Sequence, residues 1–427
     1  VKTYDKLLAL SGVNKSETSI FLWSLSYVIC IFIAYYLLRP VRDTLGLDAG
    51  ISNLPWLFSG TLLAMLIVSP LFSWAVKRWT RIIFISISYR FFAGHLLVFS
   101  LLQLPFFSGI RAITGIAFFI WVSVFNLFVV SVFWSFVVDV FSADRGRRLF
   151  GFLAAGATVG GMAGSVLTLL AVDHAGPAGL MLMAVVMLEA GVRSARQAAA
   201  GITADTRGQD AGASPVGGTI FAGITHTFKS PYLAGIALFM VLYSVTSTFL
   251  YMEQAAIAAR SFTDREARTA FFAGVDLWVN VFTLLAQVFL TSGVIRWLGV
   301  TVTLAILPAV TLTGFTLLLA APSLMLFILF QVVRRVTNFA FARPGREILF
   351  TAVTAEDRYK SKNFIDTVIY RFGDQIGSWS YGGASLAGSN FAALAFIAIP
   401  VSVLWLGLTL WLGRRHKQFE ISSRQSL

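Results

Sequence analysis

Ten charged side chains fall inside or beside runs of sequence that are otherwise almost wholly apolar, and their types limit the chemistry open to them. Arg39 and Arg42 follow Tyr35-Tyr-Leu-Leu, Arg334 and Arg335 stand side by side in Gln-Val-Val-Arg-Arg-Val, and Lys360 and Lys362 precede an apolar stretch near the C-terminal end. Glu253, Asp276, Asp366 and Asp374 are the acids in comparable settings. An ionised side chain at the centre of a lipid-spanning helix costs about 2.5–3.5 kcal/mol, so each needs a partner, water or a ligand. Arginine presents a planar donor fork suited to phosphate or carboxylate. Counted from Ser323 at about 1.5 Å per residue, Arg334 and Arg335 lie roughly 17 Å along their helix, near mid-membrane. Neighbouring residues point about 100° apart, so a single acid satisfies both poorly. These two arginines, with Arg39 and Arg42, are expected to receive negative charge, and Lys360 and Lys362 to guide it at the mouth of the path. The alternative for the arginine pair is neutralisation by Glu253 or Asp276. The four acids are expected to couple protons or pair with cations, because a buried carboxylate can be tuned to titrate near neutral pH. Arg371 and Asp374, three apart, can neutralise each other, and Asp43 is available to Arg39. Tyr35, Tyr36 or Trp134 could stack on a ring, or simply pack.

Bond-making chemistry has no support. The single cysteine, Cys30, lacks a disulfide partner, and the four histidines form no zinc-ligand spacing. A GxSxG elbow and a GxxxxGK[ST] phosphate loop are absent. The chain is expected to be no enzyme, with no cofactor and no metal.

The elements that must carry these residues follow from composition. Of 427 residues 57% are hydrophobic and 12% charged, against about 45–50% and about 25% in soluble domains. A bilayer core needs about 20 apolar residues per helix. Runs of that kind occur at 20–42, 54–76, 82–104, 110–138, 149–172, 177–192, 232–258, 270–292, 300–320, 323–343, 363–388 and 390–412, predicting twelve spans. The net charge of +13 comes from basic residues spread over short loops rather than a nucleic-acid-binding patch. Lys77, Arg78, Arg81, Arg145, Arg147, Arg148, Arg193, Arg196, Arg296, Arg358, Arg414 and Arg415 all fall on one side of the predicted spans. Such a bias marks the cytoplasmic side and puts both termini there. Residues 193–230, rich in Gly, Ala, Ser and Thr, read as a flexible cytoplasmic linker. The predicted organisation is therefore an N-terminal six-helix bundle (1–192), that linker, and a C-terminal six-helix bundle (231–427).

The halves repeat. Asp144-Arg145 and Asp357-Arg358 stand 213 positions apart, each before a glycine-rich helix with Gly156, Gly160 and Gly164 in one half and Gly373 and Gly377 in the other. Arg78-Trp79 and Arg296-Trp297 also correspond. Glycines four apart give a helix a small face on which another backbone can rest. Two parallel six-helix halves are the plan of the major facilitator superfamily.

Tyr35-Tyr-Leu-Leu-Arg-Pro-Val-Arg-Asp-Thr-Leu, then Arg335-Val-Thr-Asn, Pro344-Gly-Arg-Glu and Lys360-Ser-Lys-Asn-Phe-Ile-Asp, resemble the ATP/ADP translocases of plastids and intracellular bacteria and their bacterial relatives. The resemblance implies a major-facilitator fold and exchange of nucleotides without hydrolysis. A family lysine in the first-span signature aligns with Arg42, and a second falls on Lys360 or Lys362. Two family glutamates align near Val122, where no acid stands, and near Tyr251, two residues before Glu253. The basic positions are kept and the acidic ones are not, which implies an anionic substrate.

The expected function is secondary transport of an organic anion, a nucleotide or other phosphorylated metabolite, by alternating access with exchange or proton coupling. A monomer in the bacterial cytoplasmic membrane is expected. The alternatives are a carrier of the same fold with a drug, peptide or lipid-linked cargo, and a non-transporting scaffold or sensor.

Overall fold

The computed structural model describes residues 18–141, 143–201, 225, 227–353, 361–362, 364–386 and 391–425, and no strand occurs among them. The helices are α1 Thr18–Leu47, α2 Leu54–Arg78, α3 Arg81–Leu101, α4 Arg111–Val140, α5 Ala143–Ala200, α6 Pro231–Ser261, α7 Arg265–Phe289, α8 Thr291–Ala320, α9 Leu324–Thr337, α10 Arg343–Leu349, α11 Tyr370–Leu386 and α12 Phe391–Gln425. Helices are what lipid demands, because a backbone without water must satisfy its own hydrogen bonds. Ten stretches among the described residues are long and apolar enough to cross a bilayer, and the chain is a multi-pass integral membrane protein. Two π-helical turns, Asn338–Ala342 and Ile365–Ile369, lead into α10 and α11.

Helix α5 contains two of the predicted spans. At Gly176, which has φ +58 and is followed by Pro177, the chain reverses. Gly156, Gly160 and Gly164 lie against Leu25, Ile29 and Ile33 of α1 in ascending order, whereas Gly191 and Gly201 lie against Ile31 and Ile20 in descending order. Ser194, which meets Ser26 at 3.1 Å, follows the descending series. Spans five and six are thus a hairpin turned on one glycine, a conformation that a Cβ would strain. The second limb runs to Ala200, through the first eight residues of the segment read as a linker. Within the rest of that segment, residues 202–224 and 226 lie outside the described residues.

The chain forms two compact units. The first comprises Val1–Asn53, Gly60–Ala213 and Ala258–Asn280; the second comprises Leu54–Ser59, Ser214–Ile257 and Val281–Leu427. Each unit thus takes a short piece from the opposite half of the sequence. Tyr27, Phe125, Phe133 and Phe136 are at the heart of the first unit's core, where the Tyr27 and Tyr89 hydroxyls meet at 2.6 Å. Trp405, with Phe239 and Leu307, centres the second unit's core.

The glycine faces serve the same purpose in both units. A Cβ on Gly160 or Gly164 would stand 2.7 or 2.8 Å from the carbonyl oxygens of Ile29 and Ile33. A Cβ on Gly373 or Gly377, each 213 positions later, would stand 3.0 Å from those of Val241 and Val245. Helix α5 rests on α1 as α11 rests on α6, backbone against backbone.

Candidate functional site

The four arginines expected to hold an anion have unlike surroundings. In the first unit Arg39 reaches from α1 to α7, where its Nη1 is 3.1 Å from Asp276 Oδ1. Its guanidinium also lies 5.9 Å from the Tyr36 ring centroid. Arg42 donates through Nε and Nη2 to Asp43 Oδ1, at 2.8 and 2.6 Å. The expected pairing of Asp43 with Arg39 is therefore corrected. Arg39 faces α7 and is met there by Asp276, while the fork of Arg42 closes on its own neighbour.

Arg334, in the second unit, is 1% exposed, the most fully buried arginine among the described residues. It sits ten residues into α9, a helix started by Ser323, whose hydroxyl accepts the Leu326 amide. Its Nε donates to Thr311 Oγ1 at 3.1 Å, and its Nη2 donates to Thr246 Oγ1 at 2.8 Å and to the Tyr243 carbonyl at 3.2 Å. Both threonines spend their own protons on backbone carbonyls, Thr311 on Leu307 and Thr246 on Leu242, so their lone pairs face the arginine. The Tyr243 ring lies 5.4 Å away. Among the described residues no carboxylate comes within 4 Å of Arg334, and neither Glu253 nor Asp276 is its partner. Arg335, next along the helix, is half-buried.

Three of the four acids are held by arginines. Besides Asp276, Asp366 is 3.0 Å from Arg346 Nη2, and Asp374 is 3.1 Å from Arg371 Nη1. Asp374 also accepts from Ser244 at 2.6 Å and Thr248 at 3.0 Å. Glu253 differs: it accepts from the Tyr381 hydroxyl at 2.9 Å, and no cation among the described residues is within 4 Å of it. Beside it in sequence, Gln254 accepts from Gln331 Nε2 at 2.8 Å, one helical turn before Arg334. Lys362 pairs with Glu347 at an exposed position, and Lys360 lies outside the described residues.

Arg346 was not singled out by the sequence reading, although it stands in the quoted Pro344-Gly-Arg-Glu. It is buried, touches the Met240 sulfur, and ties the helix behind one π turn to the acid within the other. Wide turns of this kind gather at functional positions. The signal that could have found it is an arginine within an apolar stretch, the criterion that picked out Arg334. Asp48 and Arg265, which pair with each other beyond the end of α1, were also missed. Asp48 follows the end of α1 and Arg265 opens α7, and at the edge of a span a charge attracts no notice.

No family profile matches the chain. A stretch of 216 residues is 23% identical to the ADP,ATP carrier protein 2 of Chlamydia pneumoniae, covering 45% of this chain and 40% of that protein. The chain thus spans less than half the length of that curated relative. Solved structures match over almost the whole chain. A bacterial homologue of the iron transporter ferroportin, inward-facing, aligns with TM-score 0.66 and 10% identity over 92% of this chain and 98% of its own. The nucleoside transporter NupG aligns with TM-score 0.63 and 14% identity over 91% and 99%. A POT family transporter in complex with a thioalcohol-conjugated peptide gives 0.66 and 11% over 92% and 96%. At such identities the likeness speaks for architecture alone, and the architecture is the all-α, major-facilitator-type membrane fold.

Proposed function

We propose that this chain is a secondary transporter that moves an organic anion, a nucleotide or other phosphorylated metabolite, by alternating access. The observation that carries the reading is Arg334, a guanidinium buried at mid-span among hydroxyls, a carbonyl and an aromatic ring, with no carboxylate within 4 Å among the described residues. Keeping an uncompensated charge there costs folding energy, and an anionic cargo that supplies the missing charge gives a reason for it. The partial likeness to an ADP,ATP carrier supports a phosphorylated cargo. Arg335 extends the receptor, Arg39 and Arg42 hold further negative charge when their acids let go, and Lys360 and Lys362 guide the anion at the cytoplasmic mouth. Among the acids, Glu253 is the coupling site where protons accompany transport. Its only hydrogen-bond partner among the described residues is neutral, so gaining a proton breaks no ion pair.

The test is counterflow in proteoliposomes loaded with ADP and offered labelled ATP, ADP or inorganic phosphate. Saturable uptake of at least one, with half-saturation raised about 10–100-fold in Arg334→Gln, is expected from the loss of a charge-assisted hydrogen bond. Absence of counterflow with any organic anion, or unchanged affinity in the variant, would overturn the reading. Retained uptake of a neutral or cationic cargo would favour the alternative carriers.

A further inference from the structure

One face of the first unit carries charge where its neighbours call for lipid. Along α3, Ile83, Ile87 and Phe91 are exposed, and along the second limb of α5 so are Leu182 and Val186. Among them stands an ion pair. Arg90 donates through Nε and Nη2 to Glu189 Oε2 and Oε1 at 3.1 and 2.9 Å, the two side chains being 49% and 33% exposed. One turn on, Arg193 donates through Nε to Glu189 Oε1 at 3.3 Å. A further turn on, Arg196 donates through Nε to Ser86 Oγ of α3 at 3.1 Å. Arg90 and Arg193 thus share one carboxylate, and among the described residues Arg196 has none within 4 Å. A groove of about 560 Å³ opens here, lined by Ile83, Ser86, Ile87, Arg90, Phe91 and Arg196.

Lengths along the helices give the depth of this groove. Counted from the reversal at Gly176 at about 1.5 Å per residue, Glu189 lies about 20 Å and Arg196 about 30 Å along the limb. Arg90 lies about 14 Å into α3, counted from Arg81. A bilayer core is about 30 Å thick, so Arg196 reaches its edge while Arg90 and Glu189 stand roughly 10 Å inside. The edge is the one that the bias of basic residues assigns to the cytoplasm. An ion pair facing hydrocarbon is poorly solvated, and long cationic side chains relieve this by reaching toward headgroups. Arg193 and Arg196, three apart on one helix face, are placed to do so. Among the described residues neither has a hydrogen bond from its Nη groups, the donors whose fork suits a phosphate. The face carries two more positive charges than negative, an excess that a second copy meeting it face to face would double.

We propose that this groove binds an anionic phospholipid of the cytoplasmic leaflet, its phosphodiester held by Arg193 and Arg196 and one acyl chain laid along Ile83, Ile87 and Phe91. Basic pockets between spans on the cytoplasmic side are the usual seats of such headgroups. The phosphate supplies the charge that the face lacks, and the chain covers the apolar wall, so one molecule answers both needs. Glu189 fixes Arg90 and part of Arg193, which leaves the free donors at the membrane edge, where a phosphate lies. A zwitterionic headgroup fits less well, because its own cation meets the two arginines. Nothing in this site depends on what the protein carries.

The experiment uses the full chain with Cys30→Ser, so that an introduced thiol stands alone. Ile87→Cys carries a fluorophore in the groove, and Leu170→Cys carries the same label at an exposed position on the first limb of α5. Each protein is placed in phosphatidylcholine vesicles, and quenching by brominated phosphatidylglycerol is compared with quenching by brominated phosphatidylcholine. A binding constant at least about 5-fold higher for phosphatidylglycerol is expected at position 87, and near unity at position 170. Arg193→Gln with Arg196→Gln should bring the ratio at position 87 close to unity, and Arg193→Lys with Arg196→Lys should keep most of it. A ratio near unity at position 87 in the parent, an equal preference at position 170, or a preference untouched by the double glutamine variant would each overturn the site. Displacement of brominated phosphatidylglycerol by an equal concentration of inorganic phosphate would overturn the lipid as its occupant. Disulfide-linked dimers of unlabelled Ile87→Cys in phosphatidylcholine vesicles would give the groove to a second copy instead.

Discussion

Arg39 and Arg334 are both arginines deep within spans, yet the molecule treats them in opposite ways. Arg39 is answered by Asp276 across a helix pair, and its neighbour Arg42 by Asp43. Arg334 is more fully buried than either and, among the described residues, is answered only by threonine hydroxyls, one carbonyl and the face of a tyrosine. Dipoles can cradle a cation without cancelling it. Among the described residues the first region pairs each cation with a carboxylate, and the second holds a cation with no carboxylate within 4 Å, the place the proposed function gives to cargo. Buried arginines can therefore serve two tasks: holding helices together and, under the proposed function, receiving cargo.

The sharpest way to break this contrast is to make Arg39 resemble Arg334. Asp276→Asn removes its carboxylate and is expected to lower stability by about 2–3 kcal/mol, somewhat less than for a fully sealed pair because the Arg39 side chain remains 19% exposed. Thermal unfolding in detergent reads the loss, and adding Arg39→Gln should restore most of it, as for two residues acting as a unit. If the double variant is no more stable than the single one, the pair is not the unit described. The converse change is Arg334→Met. Transport of the anion should fall about 10–100-fold while the unfolding temperature stays level or rises, because a charge without an acid is costly to bury. A clear fall in stability would place Arg334 among the structural pairs.

Smaller effects sharpen the picture. Tyr381→Phe removes the donor to Glu253 and is expected to cost about 1 kcal/mol in stability, with a larger change in any dependence of uptake on a proton gradient than in affinity for the anion. An unchanged gradient dependence would remove Glu253 from the coupling role. Least of all, Arg42→Gln disturbs a pair between adjacent residues on one helix and should shift stability by about 0.5 kcal/mol and uptake by no more than a few-fold. A loss as large as that at Arg334 would mean that Arg42 meets cargo directly.

Much of the architecture can be read from the chain itself because lipid permits so few solutions. A run such as 20–42 has to be a helix, and the glycine spacing around Gly160 and Gly373 announces which faces come close. The joint at Gly176-Pro177 was visible only as a short break between two predicted spans, since neither residue type says that one glycine suffices for the turn. The span beginning near 363 is harder to see: Asp366, Arg371 and Asp374 dilute its apolar character, and its opening π turn has no composition of its own. Partners of charges were the least legible. Local spacing gives Arg371 to Asp374 correctly but gives Asp43 to Arg39, because it cannot see that Asp276, more than two hundred residues away, will stand opposite. For the same reason Arg346 passed unnoticed until Asp366 was seen to meet it.

The reversal at Gly176 leaves no spare chain at that corner. The two limbs of α5 cannot slide past each other by even one helical turn, about 5.4 Å, without tearing it, and each limb grips a different face of α1. Whatever stroke the protein makes, α1 and both limbs ride through it as a single casting, and a graft of loose residues at that corner would turn the casting into separate parts.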